Sequence, residues 1–122
     1  MNALAVKRTG RPTPQDGATF KAEVVRWASW MRVRPRRIQV QRMTTKWASC
    51  SSGGRLCFSR DLLREDPRFR EVVIVHELLH LLVPNHGKLF KSLMTAYVPG
   101  WERVSRARAS RVCGHGSLSA EV

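Results

Sequence analysis

Residues 76 to 86 read His76-Glu77-Leu78-Leu79-His80-Leu81-Leu82-Val83-Pro84-Asn85-His86. Three of the four histidines in the chain and one glutamate stand in its most apolar stretch, directly after Val72, Val73, Ile74 and Val75. A helix over Glu71 to Val83 would be apolar nearly all round, so it has no solvated face and must lie in the core. Burying an unpaired carboxylate and two imidazoles there costs on the order of several kcal/mol. A divalent cation offsets that cost.

The spacing fits a cation as well. His76 and His80 are four residues apart, so they share one helix face about one turn, or roughly 6 Å, from each other. Two imidazoles so placed can converge on one zinc. Glu77 is rotated by about 100° and stands beside the pair, where a base for a zinc-activated water belongs. A third ligand is needed, with the fourth position left for water. His86 is preferred, because Pro84 forces the chain out of the helix and the turn at Asn85 can swing the ring back. The rival is Glu102, further along the chain. His115, flanked by glycines, reads as a solvated residue.

Working outward, Asp66-Pro67 is a helix start, an N-cap acid followed by proline at the first helical position. Pro84 stops the same helix at Val83. A second helix is expected from about Asn85, with Leu89, Phe90, Leu93, Met94 and Tyr97 on one side, ending at Pro99-Gly100. Upstream, Phe20, Ala22, Val24, Val25, Trp27, Ala28, Trp30 and Met31 recur at helical spacing and predict a helix over Thr19 to Val33, ended by Arg34-Pro35. Ile38 and Val40 alternate with glutamines as in a strand. Ser51 to Gly54 is a turn between two short β-prone runs, which predicts a hairpin. Residues 101 to 112 read as a short basic helix carrying Arg103, Arg106, Arg108 and Arg111. The domain plan is a flexible basic tail over 1–17, one domain over 18–112 and a frayed end over 113–122.

Composition bounds the rest. The chain has 122 residues, 43% of them hydrophobic, with four Trp and four Phe to fill one modest core. Its formal charge is +13. Eleven of the 22 Lys and Arg precede Trp47, against Asp16 and Glu23 alone. Such a field suits polyanions or simply solubility, and weak nucleic-acid binding through Arg32, Arg34, Arg36 and Arg37 follows from the first reading. Cys50, Cys57 and Cys113 are an odd set without a CxxC, so reduced thiols in a cytoplasmic protein are expected rather than a disulfide framework. A second zinc site from these cysteines and His115 has poor spacing. No apolar run approaches the ~20 residues that span a bilayer, and the opening Ala3-Leu4-Ala5-Val6 is too short for a signal-peptide core.

Several of these stretches recur together, in order, in a known family. The runs Lys46-Trp47-Ala48-Ser49-Cys50-Ser51, Gly54-Arg55-Leu56, Val73 to Leu81 and Asn85-His86-Gly87-Lys88-Leu89-Phe90, with Pro99-Gly100-Trp101, resemble the YgjP-like metallopeptidases, relatives of the SprT-like zincins. The likeness covers about residues 20 to 112. Ala48 and Ser59 stand where that family usually has Gly and Asn. The resemblance implies a small zincin-like α+β domain. Its parts would be an N-terminal helix, a short antiparallel sheet with a hairpin, an HExxH helix and a second helix after it. It also implies His76, His80 and His86 as ligands of one Zn2+ per chain and Glu77 as catalytic base. The His76 to His86 spacing equals that of metzincins, but Val83 stands where they need Gly and no Met-turn is evident.

The expected activity is therefore peptide-bond hydrolysis by a zinc metallopeptidase. The Leu56–Ser59 strand is expected to pair, as an edge, with an extended substrate. No oxyanion donor stands out: Tyr97 reads as core and Arg103 as solvated. The competing expectation is a nucleic-acid-associated protein with a structural zinc, or a protease acting on DNA-bound proteins.

Overall fold

The computed structural model describes residues 16–107. The N-terminal tail up to residue 15, the stretch with Arg108 and Arg111, and the end with Cys113 and His115 lie outside the described residues. Helix α1 spans Gly17–Met31, and the Asp16 carboxylate caps it by accepting from the Thr19 amide at 2.7 Å. It stops two residues before the expected end. Arg32 turns into the left-handed region (φ 61°, ψ 42°), and its amide closes on the carbonyls of Ala28 and Ser29.

Three strands follow: β1 (Arg37–Gln41), β2 (Ala48–Cys50) and β3 (Arg55–Ser59). The hairpin β2–β3 is antiparallel as expected, with Ala48 opposite Phe58 and Cys50 opposite Leu56. The sheet as a whole is mixed rather than antiparallel, because β1 pairs in parallel with β3, Arg37 opposite Arg55 through Gln41 opposite Ser59. The order β1-β3-β2 explains this. The chain crosses from β1 to the far edge, and the hairpin then returns β3 into the gap. The Leu56–Ser59 strand is therefore central, bonded on both sides, and cannot serve as the substrate edge. Ala48 and Ser59 are both fully buried. The Ser59 hydroxyl donates to the Met43 carbonyl and accepts from the Asp61 amide, holding the 3-10 helix Arg60–Arg64 that follows.

Helix α2 (Pro67–Leu79) opens on the Asp66 cap with Pro67 inside it and is buried from Val72 to Leu79. It ends short of Val83. The amides of Leu81 and Leu82 bond three residues back, a 3-10 tightening that releases the chain at Pro84. Helix α3 (Lys88–Tyr97) opens three residues later than expected. Phe90 and Met94 are buried on it, whereas Leu89 is exposed and so is not part of its apolar side. Helix α4 (Trp101–Arg106) follows a turn at Gly100.

The core fills the space between α2, the sheet and α1. Phe20 of α1 meets Phe58 of β3 edge-on at 5.1 Å, and Trp47 meets Phe69 of α2 at 5.0 Å. A charged pair lies inside this packing. Arg70 Nε of α2 stands 3.5 Å from Glu23 Oε1 of α1, and the Arg70 guanidinium also donates to the Glu65 carbonyl at 2.6 Å. Arg68 donates to the Pro99 carbonyl at 2.7 Å and ties the start of α2 to the α3–α4 turn.

Candidate metal centre

Helix α2 carries His76 and Glu77 into the core, both of them buried. His80 is its C-cap residue and keeps helical geometry (φ −65°, ψ −15°), so the four-residue spacing holds its ring on the His76 side. After Pro84 the Asn85 side chain accepts from the Gly87 amide at 3.1 Å. This small turn brings His86 back over the helix end. His86 Nε2 lies 3.2 Å from His76 Nε2 and 2.8 Å from His80 Nε2. The ligand atoms of all three fall within 4.8 Å of one another.

Glu102 is exposed on the first turn of α4 and is not a member of this convergent group. Cys50 and Cys57 are both unpaired, and neither joins it. Since Cys50 lies opposite Leu56 and Cys57 opposite Ser49, the two thiols face opposite sides of the sheet, which removes the cysteine zinc site among the described residues. Arg103 is exposed, and Tyr97 packs its ring against Trp30 and Trp27 at 5.5 and 6.5 Å.

The imidazoles are held neutral. Burial drives His76 well below its ordinary 6.5, with His80 and His86 adding to the effect. Burial, then the charges of His80 and Lys91, take His86 down to about 4. Burial also lowers His80, opposed by hydrogen bonds to the backbone at Val83 and Pro84. The three Nε2 atoms lie close enough together to be ligands of a single ion. Nitrogens bound at 2.0–2.1 Å around one tetrahedral ion stand roughly 3.3 Å apart, close to the spacings found. The residues present therefore fit a metal ion, and three imidazoles with one open position suit zinc.

Phe90 completes the cage. Its ring centroid lies 4.9, 5.0 and 4.7 Å from those of His76, His80 and His86. Helical spacing marks Phe90 only as a core residue, and nothing in the sequence says that it packs against all three rings.

Lys46, Ala48 and Cys50 are two residues apart on and beside β2, so they share one face. Helix α2 packs against β2, and across that contact the charge of Lys46 acts on Glu77 and that of Glu77 acts on Cys50. Burial pushes Glu77 up to about 8, partly opposed by Lys46. Burial and then Glu77 push Cys50 up to about 11. Among the described residues none hydrogen-bonds either carboxylate oxygen of Glu77. A fully buried carboxyl without a protein partner beside three converging imidazoles is the arrangement expected around a reacting centre.

A family model for a YgjP-like metallopeptidase domain matches residues 15–107. The chain belongs to the YgjP-like metallopeptidase family. Among solved structures it is similar to the metallopeptidase zymogen jannalysin of Methanocaldococcus jannaschii, with 20% identity and a TM-score of 0.67. The likeness covers 79% of this chain and 96% of that one, and at this identity it establishes the fold. Comparison with curated proteins returns no match. The YgjP-like domain thus has the small zincin-like α+β architecture that the resemblance implied, with a mixed sheet. No helix among its described residues is long and apolar enough to cross a membrane.

Proposed function

We propose that this YgjP-like domain is a zinc-dependent peptidase in which His76, His80 and His86 hold one zinc and Glu77 is the general base. The observation that carries the proposal is the convergence of three neutral Nε2 atoms beside a buried carboxyl without a protein partner. Zinc bound by three imidazoles supplies a Lewis acid that acidifies water towards a pKa of ~7 and polarises a carbonyl. Glu77 takes a proton from the attacking water and delivers it to the departing amine nitrogen. The peptide C–N bond breaks, leaving a carboxylic acid and an amine. Burial raises the Glu77 carboxyl above the ordinary carboxylate range and a neighbouring cation would draw it back down, the balance that a group needs to take a proton and then return it near neutral pH.

With β3 in the centre of the sheet, the substrate edge is β2. β2 is an edge strand of the described sheet and packs beside α2, with the charge of Lys46 acting on Glu77 and that of Glu77 acting on Cys50. An extended peptide pairing with its free backbone groups would pass in front of Glu77. Unpaired Cys50 and Cys57 fit a cytoplasmic location.

The test is hydrolysis of an unfolded protein by the zinc-loaded wild type and by Glu77→Gln at equal zinc content. The amide keeps the shape but accepts no proton, so the rate falls by roughly 10²–10⁴. Equal rates would remove Glu77 as the base and leave the metal as a structural ion.

The basic face favours a further role in binding. Arg36, Arg37 and Arg55 line a polar cleft of about 530 Å³ with the hairpin turn, and Arg32 and Arg34 are exposed beside it. We propose that this face also binds nucleic acid weakly, through phosphate contacts.

A further inference from the structure

Next to the metal centre the surface opens into a cleft of about 380 Å³, with His80 in its wall. Arg32 and Arg34, just past the end of α1, form one side, and the hairpin turn around Ser52 and Gly54 forms the other. Leu82, 53% exposed, forms an apolar rim. Both guanidiniums are exposed, and among the described residues neither has a carboxylate partner.

The backbone points the same way. Arg32 is the one non-glycine residue with positive φ among the described residues. The left-handed region disfavours any side chain with a Cβ, and glycine is the usual helix terminator there. An arginine held in that conformation is locally unfavourable, and it sets a cation at the mouth of a cleft that ends on His80. Strain of this kind persists where something beyond local stability selects it. A cation also interacts well with the free carbonyls at the end of α1, but that requires no cleft. On the opposite wall Gly54 has φ +87°, and a Cβ there would meet Arg36 Cγ at 3.0 Å. Ser51 and Ser52 of the same turn line the cleft with their short polar side chains.

We propose that this cleft is a substrate subsite in which Arg32 and Arg34 bind a carboxylate of the peptide being cut. The carboxylate is either an acidic side chain near the scissile bond or a free C-terminus. The guanidinium fork matches a carboxylate in two parallel hydrogen bonds, and Leu82 offers apolar surface to the methylenes of a glutamate. The subsite rests on the peptidase reading above.

The test uses zinc-loaded protein and quenched fluorescent peptides identical except at scanned positions carrying Glu, Gln or Lys, each made with a free and an amidated C-terminus. The wild type should cut the best Glu peptide with kcat/KM about tenfold above its Gln counterpart. The ratio should shrink as salt rises, because the cleft is open to solvent. A gain that follows the free C-terminus instead identifies the terminal carboxylate as the bound group. Arg32→Gly and Arg34→Ala should bring the preference to near one, and Arg34→Glu should shift it towards Lys. Arg26→Ala, on the exposed side of α1, should keep it. Arg32→Gly should not lower Tm, since glycine relieves the left-handed backbone.

A wild-type ratio near one, or one unchanged in all three variants, overturns the subsite. So does a result in which the variants weaken binding of a DNA oligonucleotide and leave the peptide ratio alone. Binding of the same peptides, dye-labelled and followed by anisotropy, separates this proposal from the peptidase reading. If nothing is cut but Glu peptides still bind better through Arg32 and Arg34, hydrolysis fails and the subsite stands. If binding shows no preference, the subsite fails.

Discussion

Glu77 can be tested by stability alone, without any substrate. Its carboxyl is fully buried, and burial raises it from 4.5 to about 8. Between those values the metal-free folded protein holds a proton that the unfolded chain has released, so its stability falls as pH rises through the window. At ~1.4 kcal/mol per pH unit, the loss reaches about 3 kcal/mol near pH 7 and about 5 kcal/mol by pH 8, before allowance for water entering the site. Glu77→Gln carries a neutral side chain of the same shape and loses nothing. With zinc removed, the two proteins should therefore be equally stable near pH 4.5, and the variant should lead by about 3 kcal/mol near pH 7. Denaturant unfolding followed by tryptophan fluorescence across that range reads the difference directly. The histidines lower stability towards acid in both proteins, so they cancel. With zinc bound the lead should narrow, because a neighbouring cation favours the carboxylate. A difference that does not open with rising pH, or a wild type more stable near pH 8, would refute a buried, raised Glu77.

The pair between α1 and α2 gives a second test. Glu23→Gln leaves the Arg70 guanidinium buried against a neutral amide, and unfolding free energy should drop by about 3 kcal/mol with no direct effect on the metal site. For the basic face, a DNA oligonucleotide should bind weakly at ~50 mM salt, with affinity falling steeply as salt rises, and replacing Arg34, Arg36 and Arg37 by Ala should flatten that slope. Absence of binding at low salt would leave the charge to solubility.

Much of the centre is legible in the sequence, and the reasons are local. A helix apolar on every side has nowhere to go but the core, and His76, His80 and Pro84 act through spacing within one segment. Arg70 belongs to the same helix, but its burial depends on Glu23, 47 positions earlier, and a lone basic residue in a sequence reads as solvated. The central place of β3 in the sheet is hidden in the sequence for a similar reason. A β-prone run after the Ser51 to Gly54 turn marks Leu56 to Ser59 as a strand, but the strand order is fixed by long-range pairing, which a local pattern does not report. Arg32 shows a different gap. Arg34-Pro35 correctly signals an end to α1, but a left-handed arginine two residues earlier follows no residue preference.

The most direct measurement of the central claim is zinc content per chain in the purified wild type and in four single variants. The wild type should hold about one zinc. His76→Ala, His80→Ala and His86→Ala should each lose most of it, because each removes one of three convergent nitrogens. Glu102→Ala should keep it, since that carboxylate lies on the exposed side of α4. Full retention in His76→Ala and His80→Ala would contradict the site, and loss in Glu102→Ala with retention in His86→Ala would move the third ligand to the carboxylate.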